Sequence, residues 1–204
     1  LLAASHPRAQ FFGVDLSPTH IAKASTLAAT SGLDNIQFIA ADVAALDVDT
    51  LPDFDFVTLH GLYAWVPPPV QRAVRDFLSR KLRPGGIAYV SYNAMPGWAA
   101  VGPLRRYFTA RAKELGGDLL NNVRQIVAEL AELRAQGAPF FRDNPATAAI
   151  LEHLQSADAR YLVHEYLGAD WDPAYFVDVH DAALGQTPLR FHDVKFSRHG
   201  ADAQ

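Results

Sequence analysis

The stretch Phe11-Phe12-Gly13-Val14-Asp15-Leu16-Ser17-Pro18 limits what this chain can fold into more than any other. An apolar run ends in a carboxylate, and a helix-start signal follows at once. Ser17 suits the N-cap and Pro18 the first helical position, with Ile21, Ala24, Leu27 and Ala28 at helical spacing behind them. The pattern predicts buried strand, tight turn and helix, with Asp15 at the carboxyl end of the strand. Open α/β sheets bind their ligands at that edge. An ionised Asp there can accept from both hydroxyls of a ribose, or it can cap its own helix. The stretch alone leaves both readings open.

The same unit recurs downstream. Gly32 supplies a helix C-cap, and Asn35-Ile36-Gln37-Phe38-Ile39-Ala40-Ala41-Asp42 reads as a second strand closed by a carboxylate. Phe54 to His60 is a third strand, ending in His60-Gly61. Pro67, Pro68 and Pro69 open a helix through Val70, Val74, Phe77, Leu78 and Leu82, and Pro84-Gly85-Gly86 stops it. Ile87 to Tyr92 is a fourth strand. Strands alternating with helices imply βαβ crossovers and a parallel sheet, an α/β fold. The polar punctuation of Asp15, Asp42, His60, Tyr92 and Asn93 falls at strand carboxyl ends, which marks a site.

From Ala99 onward the pattern is helical. Leu104 to Leu115, Leu119 to Arg134 and Ala146 to Leu154 carry helical apolar spacing, broken at Gly116-Gly117, Gly137 and Pro145. The aromatic passage Tyr161 to Phe176 reads as a packed helix-turn. A strand signal returns only at Leu189 to Phe196. This divides the chain into a core over 1–98, a helical lobe over 99–188 and a late strand with tail over 189–204.

Composition excludes several classes. A formal net charge of -4 over 204 residues, with no Lys/Arg run, argues against a nucleic-acid backbone binder. With no cysteine there is no disulfide framework and no thiolate nucleophile or metal site, and a reducing cytoplasm is the expected compartment. No apolar run approaches the roughly 20 residues of a membrane span, so no membrane insertion is expected. The opening Leu1-Leu2-Ala3-Ala4 reads as the end of a helix, so the chain is expected to be a fragment.

Two cofactor classes place a carboxylate after a strand to hold an adenosine ribose, dinucleotides and S-adenosylmethionine. The short-chain dehydrogenases need a Tyr and a Lys four residues apart, so that the ammonium lowers the phenol pKa. Four residues after the seven tyrosines stand Pro67, Asn93, Pro96, Arg111, Glu165, Asp170 and Val179, so a nicotinamide dehydrogenase lacks its catalytic pair. His164-Glu165 begins a zinc-hydrolase pattern whose second His is Gly168 here. No metal site follows, and no Gly-x-Ser-x-Gly elbow or phosphate-binding loop occurs.

Phe12-Gly13-Val14-Asp15-Leu16-Ser17, Ala41-Asp42-Val43 and Leu82-Arg83-Pro84-Gly85-Gly86 resemble the successive motifs of class I S-adenosylmethionine-dependent methyltransferases. His60 to Pro67, Ser91 to Trp98, His164 to Leu167 and Trp171 to Phe176 are similar to bacterial members carrying a methyltransferase regulatory domain, among them protein lysine methyltransferases. The resemblance implies a Rossmann-like sheet with a helical lobe after the Tyr92 strand. It implies that Asp15 binds the ribose diol, Leu16 lines the adenine pocket, and Asp42 accepts from the adenine amino group near the Val43 backbone. His60 and Gly61 would border the methionine moiety, and Tyr63 and Tyr92, with Trp65 and Trp98, would line the acceptor pocket. His60 is the candidate base or orienting donor, with a structural hydrogen bond to its loop as the competing reading. The family's first strand and its glycine-rich loop would lie upstream of Leu1, and the match fades beyond Phe176. The implied cofactor is S-adenosyl-L-methionine and the implied partner a methyl acceptor, with protein lysine the first candidate. The alternatives are a catalytically inactive methyltransferase-like binding or regulatory module and an NAD-dependent dehydrogenase.

Overall fold

The computed structural model describes residues 1–185 and 188–193, which divide into two compact units. One comprises residues 1–58, 67–89 and 188–193, the other 59–66 and 90–185.

The first unit is α/β. A short helix α1 (Leu2–Ser5) leads into β1 (Phe11–Asp15), α2 (Pro18–Thr30) and β2 (Ile36–Ala40). β1 and β2 pair in parallel, from Phe11 opposite Ile36 to Asp15 opposite Ala40, with α2 as the crossover. The helix starts as its sequence dictates: Ser17 accepts from the His20 N–H at 3.3 Å and Pro18 opens the first turn. It ends at Gly32, whose φ of +66° lets the Leu33 N–H return to the Ala28 carbonyl. Gly13 is needed for a different reason. A Cβ there would stand 2.8 Å from the Phe38 ring of the paired strand. Buried Asn35 ties the segment before β1 to the start of β2, donating to the Ala3, His6 and Ala9 carbonyls at 3.0–3.2 Å.

The same unit holds most of β3 (Phe54–Leu59), α3 (Pro68–Lys81) and most of β4 (Leu82–Val90). The apolar stripe of α3 buries Val74 and Leu78, and its Phe77 ring meets Phe54 at 5.9 Å. Phe54 in turn meets Phe12 of β1 edge-on at 5.5 Å. β4 begins at Leu82, five residues before the strand read from Ile87, so Pro84-Gly85-Gly86 lies within it. β1–β2 and β3–β4 are separate two-stranded sheets, and no ladder joins β1 to β3 among the described residues.

The second unit is mainly helical. β5 (Ala94–Met95) is followed by α4 (Val101–Leu115), α5 (Leu119–Ala135), α6 (Pro139–Asp143), α7 (Ala146–Ser156) and α8 (Ala159–Leu167). Then come β6 (Ala174–Tyr175), paired in parallel with β5, and α9 (Phe176–Leu184). The core gathers Leu104 and Phe108 of α4, Val123 and Ile126 of α5, Leu151 and Leu154 of α7, and Leu162 and Tyr166 of α8. Asp118 and Asp158 cap α5 and α8 through their carboxylates. Of the late strand read over Leu189 to Phe196, Leu189–Asp193 have no regular secondary structure and the rest lies outside the described residues. Among the described residues no helix is long and apolar enough to cross a membrane.

Candidate functional site

The residues singled out from the sequence fall in two groups. Asp15, Leu16, Asp42 and Val43 belong to the α/β unit, and His60, Gly61, Tyr63 and Tyr92 to the helical one.

In the α/β unit the parallel register sets Asp15 opposite Ala40, and the Ala41 N–H continues the ladder to the Asp15 carbonyl at 3.1 Å. Asp42 therefore emerges one step beyond, at the same edge as Asp15. Each carboxylate is held by its own turn. Asp15 Oδ1 accepts from the Ser17 N–H at 2.7 Å, and Asp42 Oδ1 from the Ala44 N–H at 2.9 Å. His20 Nδ1 lies 3.5 Å from Asp15 Oδ1. Oδ2 of each carboxylate has no protein donor among the described residues, so capping occupies half of each acceptor set and leaves the other half for a ligand. Leu16, next in the chain to Asp15, is 72% exposed, a large apolar side chain at the end of β1. Val43 is half-buried in the turn capped by Asp42. An apolar surface beside spaced acceptors suits a nucleoside, whose base is flat and apolar and whose sugar offers two hydroxyls.

In the helical unit His60 is exposed and is held by Ser91. The Ser91 N–H donates to the Leu59 carbonyl at 2.9 Å, which brings the serine hydroxyl beneath the 60–61 turn. Ser91 Oγ accepts from the Gly61 N–H at 2.9 Å and lies 3.2 Å from His60 Nδ1. Ser91 Oγ thereby ties the His60 ring, through Nδ1, to the backbone of the same turn. The hydrogen bond from His60 to its loop, the competing reading of this residue, is present. Gly61 takes φ +68°, the left-handed region that the turn requires.

Tyr63 is only 6% exposed, in a short 3₁₀ turn, and its ring lies 6.2 Å from that of Tyr92. Burial, with Tyr63 beside it, pushes the Tyr92 hydroxyl above its ordinary value, so the phenol stays protonated at neutral pH. Trp65 stacks on His164 at 5.4 Å, and the approach explains Gly168: a Cβ there would meet the His164 carbonyl at 3.0 Å and the Trp65 ring at 3.4 Å. Tyr166 packs against Phe108 at 4.8 Å and is 3% exposed, so it belongs to the helical core. Sequence reading missed Ser91 as the partner of His60 and missed Arg105 altogether. Arg105 sits among apolar residues of α4, and nothing in the spacing distinguishes it from a surface cation.

Residues 1–86 match the family model described as a methyltransferase domain. The PKMT2 protein of Rickettsia typhi, solved in complex with AdoHcy, is similar over 89% of this chain, with a TM-score of 0.74 and 28% identity. The chain has a Rossmann-like methyltransferase fold. Because that likeness takes in 89% of the chain, it extends to the helical residues of this methyltransferase fold as well as to 1–86. An uncharacterized Synechocystis protein is 35% identical over 179 residues, 88% of this chain. An uncharacterized Rickettsia prowazekii protein is 29% identical over 177 residues, 85% of this chain and 69% of its own length. The chain spans 35% of the Synechocystis protein and 35% of PKMT2, about a third of each.

Proposed function

We propose that the full-length protein transfers a methyl group from S-adenosylmethionine to an amine on a protein, with lysine as the acceptor. The observation that carries this reading is the edge of the β1–β2 pair, where Asp15, Asp42 and exposed Leu16 offer the acceptors and apolar surface that an adenosine needs. The likeness to PKMT2, a protein lysine methyltransferase by name and bound to AdoHcy, supports the cofactor and the acceptor class.

In this reading Asp15 holds the ribose diol, Leu16 packs on the base, and Asp42 accepts from the adenine amino group beside Val43. His60 and Gly61 are assigned to the methionine end, and Tyr63 and Tyr92 to the acceptor side. Cofactor binding is assigned to residues within 1–98, and the helical lobe over 99–188 is assigned to acceptor access alongside Tyr63 and Tyr92. The cofactor, when bound, supplies a methyl already activated on a sulfonium. The protein's task is then to bind, align and exclude water. His60, steadied by Ser91, is assigned the orienting role, and the protonated Tyr92 phenol donates without changing charge.

The test is a thermal-shift and methyl-transfer experiment on the full-length protein. S-adenosylhomocysteine should stabilise it and NAD should not; at about 100 times Kd the gain is about 2.7 kcal/mol. Labelled methyl from S-adenosylmethionine should then appear in acid-stable form on lysines of a bacterial protein extract. Stabilisation without any transfer would identify a binding module, and stabilisation by NAD alone would refute the reading.

A further inference from the structure

Among the described residues, three buried side-chain atoms have no hydrogen-bond partner: Asn93 Nδ2, Arg105 Nε and Trp171 Nε1. All three are donors, and all three lie in the helical unit. Burying an N–H without an acceptor is costly, and folded proteins leave few such groups. Orphans that arose from loose packing would be scattered and of mixed polarity. These belong to one connected cluster.

The connections are explicit. Arg105 Cζ lies 4.8 Å from the centre of the Trp171 ring, and its Nη2 donates to the Gly168 carbonyl. The Trp171 ring meets Trp98 edge-on at 6.0 Å. Asn93 lies where the chain enters β5, and its carbonyl accepts from the Ala174 N–H at 3.1 Å as the chain enters β6. Its side chain lies beside half-buried Glu165, though the amide nitrogen reaches no protein acceptor in hydrogen-bond geometry. Burial pushes the Glu165 carboxyl up, and His164, Asn93 and Arg105 each draw it back. Arg105 is itself desolvated and feels Glu165 in return.

From this arrangement we propose that Asn93, Arg105 and Trp171 form a subsite for a carbonyl-type oxygen, and that its occupant is the main chain of a bound peptide. An indole N–H and a guanidinium Nε can only donate, so the ligand must bring lone pairs. Two ligand groups share that chemistry, a peptide carbonyl and a carboxylate. The Glu165 carboxylate offsets the charge of Arg105, which favours the neutral carbonyl, and it can accept from the N–H of the same peptide. The rings of Trp98 and Trp171 supply apolar surface beside the Arg105 guanidinium. The subsite stands on these residues alone. That its peptide is the methyl acceptor rests on the proposed function.

The indole N–H of Trp171 reports directly on its acceptor. Full-length protein with isotope-labelled tryptophan is titrated in one arm with N-acetylglycine N-methylamide and in a second with acetate. Trp171→Phe assigns the resonance, and backbone-linked assignment does so if that variant does not fold. The expected result is a saturable downfield shift of the Trp171 indole proton with the peptide probe. Asn93→Asp or Arg105→Met should weaken that response about tenfold, one hydrogen bond's worth at a charged or buried site. A response to acetate alone keeps the subsite and identifies a carboxylate as its ligand. A Trp171 resonance unmoved in both arms overturns the proposal. Binding of S-adenosylhomocysteine, measured on the same samples, tests the methyltransferase reading separately.

Discussion

Asp15 is the residue at which two explanations of the same geometry can be separated. Its Oδ1 accepts from the Ser17 N–H at 2.7 Å, so it closes the turn into α2; its Oδ2 is open to a ligand diol. Substitution by Ala removes both functions and would be uninformative. Asn keeps an amide oxygen where Oδ1 stands and caps about as well as Asp, so Asp15→Asn should change stability by less than about 0.5 kcal/mol. What Asn loses is the charge and one of the acceptors offered to the ligand. A hydrogen bond to a charged group contributes about 1.5–3 kcal/mol. The Asp15 side chain is 45% exposed, so the lower half of that range applies. At 1.4 kcal/mol per decade, the affinity for S-adenosylhomocysteine should fall about 10- to 40-fold. Isothermal titration gives the affinity, and a denaturant melt of the same variant gives the stability. A folded Asp15→Asn protein with wild-type affinity would mean that Asp15 only caps its helix.

Phe108 is fully buried against Tyr166, so Phe108→Ala should destabilise the helical unit by about 3–5 kcal/mol in a urea melt. Glu129 is gripped by both Arg111 Nε and Nη2, which with Gln125 and Tyr107 hold its carboxyl down at about 2 against 4.5 unperturbed. A depressed folded pKa stabilises above the unfolded value and loses that contribution as pH falls from about 4.5 towards about 2. The group is partly solvated, so the contribution is about 1 kcal/mol, and Glu129→Gln should flatten the stability profile across that window. A methyl added at Gly61 would meet open space, but the backbone there sits at φ +68°. Gly61→Ala should therefore cost about 1 kcal/mol in the same melt through backbone strain alone, and Gly61→Asn should cost less.

What could be read from the chain is what depends on neighbours in sequence. The strand-turn-helix at Phe11 to Thr30 is written in an apolar run, an N-cap and a proline, all within a few residues of one another. So is the placement of Asp15 and Asp42 at strand ends, because a parallel βαβ unit with register Asp15 opposite Ala40 leaves no other edge for them. The longer helices α4, α5 and α7 were equally legible, since 3.6-residue spacing is a local signal, whereas α6 and α9 were not read from the chain. Pairing across long separations was not. That Ser91 hydrogen-bonds His60 from 31 residues away depends on β3 and β4 lying side by side, and a serine after a strand carries no mark of it. Whether an aromatic such as Tyr166 faces a cavity or a core depends on which helix meets it, here α4 through Phe108. The orphaned donors of Asn93, Arg105 and Trp171 are a property of tertiary structure alone. Hydrogen-bond satisfaction is settled only when every acceptor in reach has been placed, and those acceptors come from distant parts of the chain.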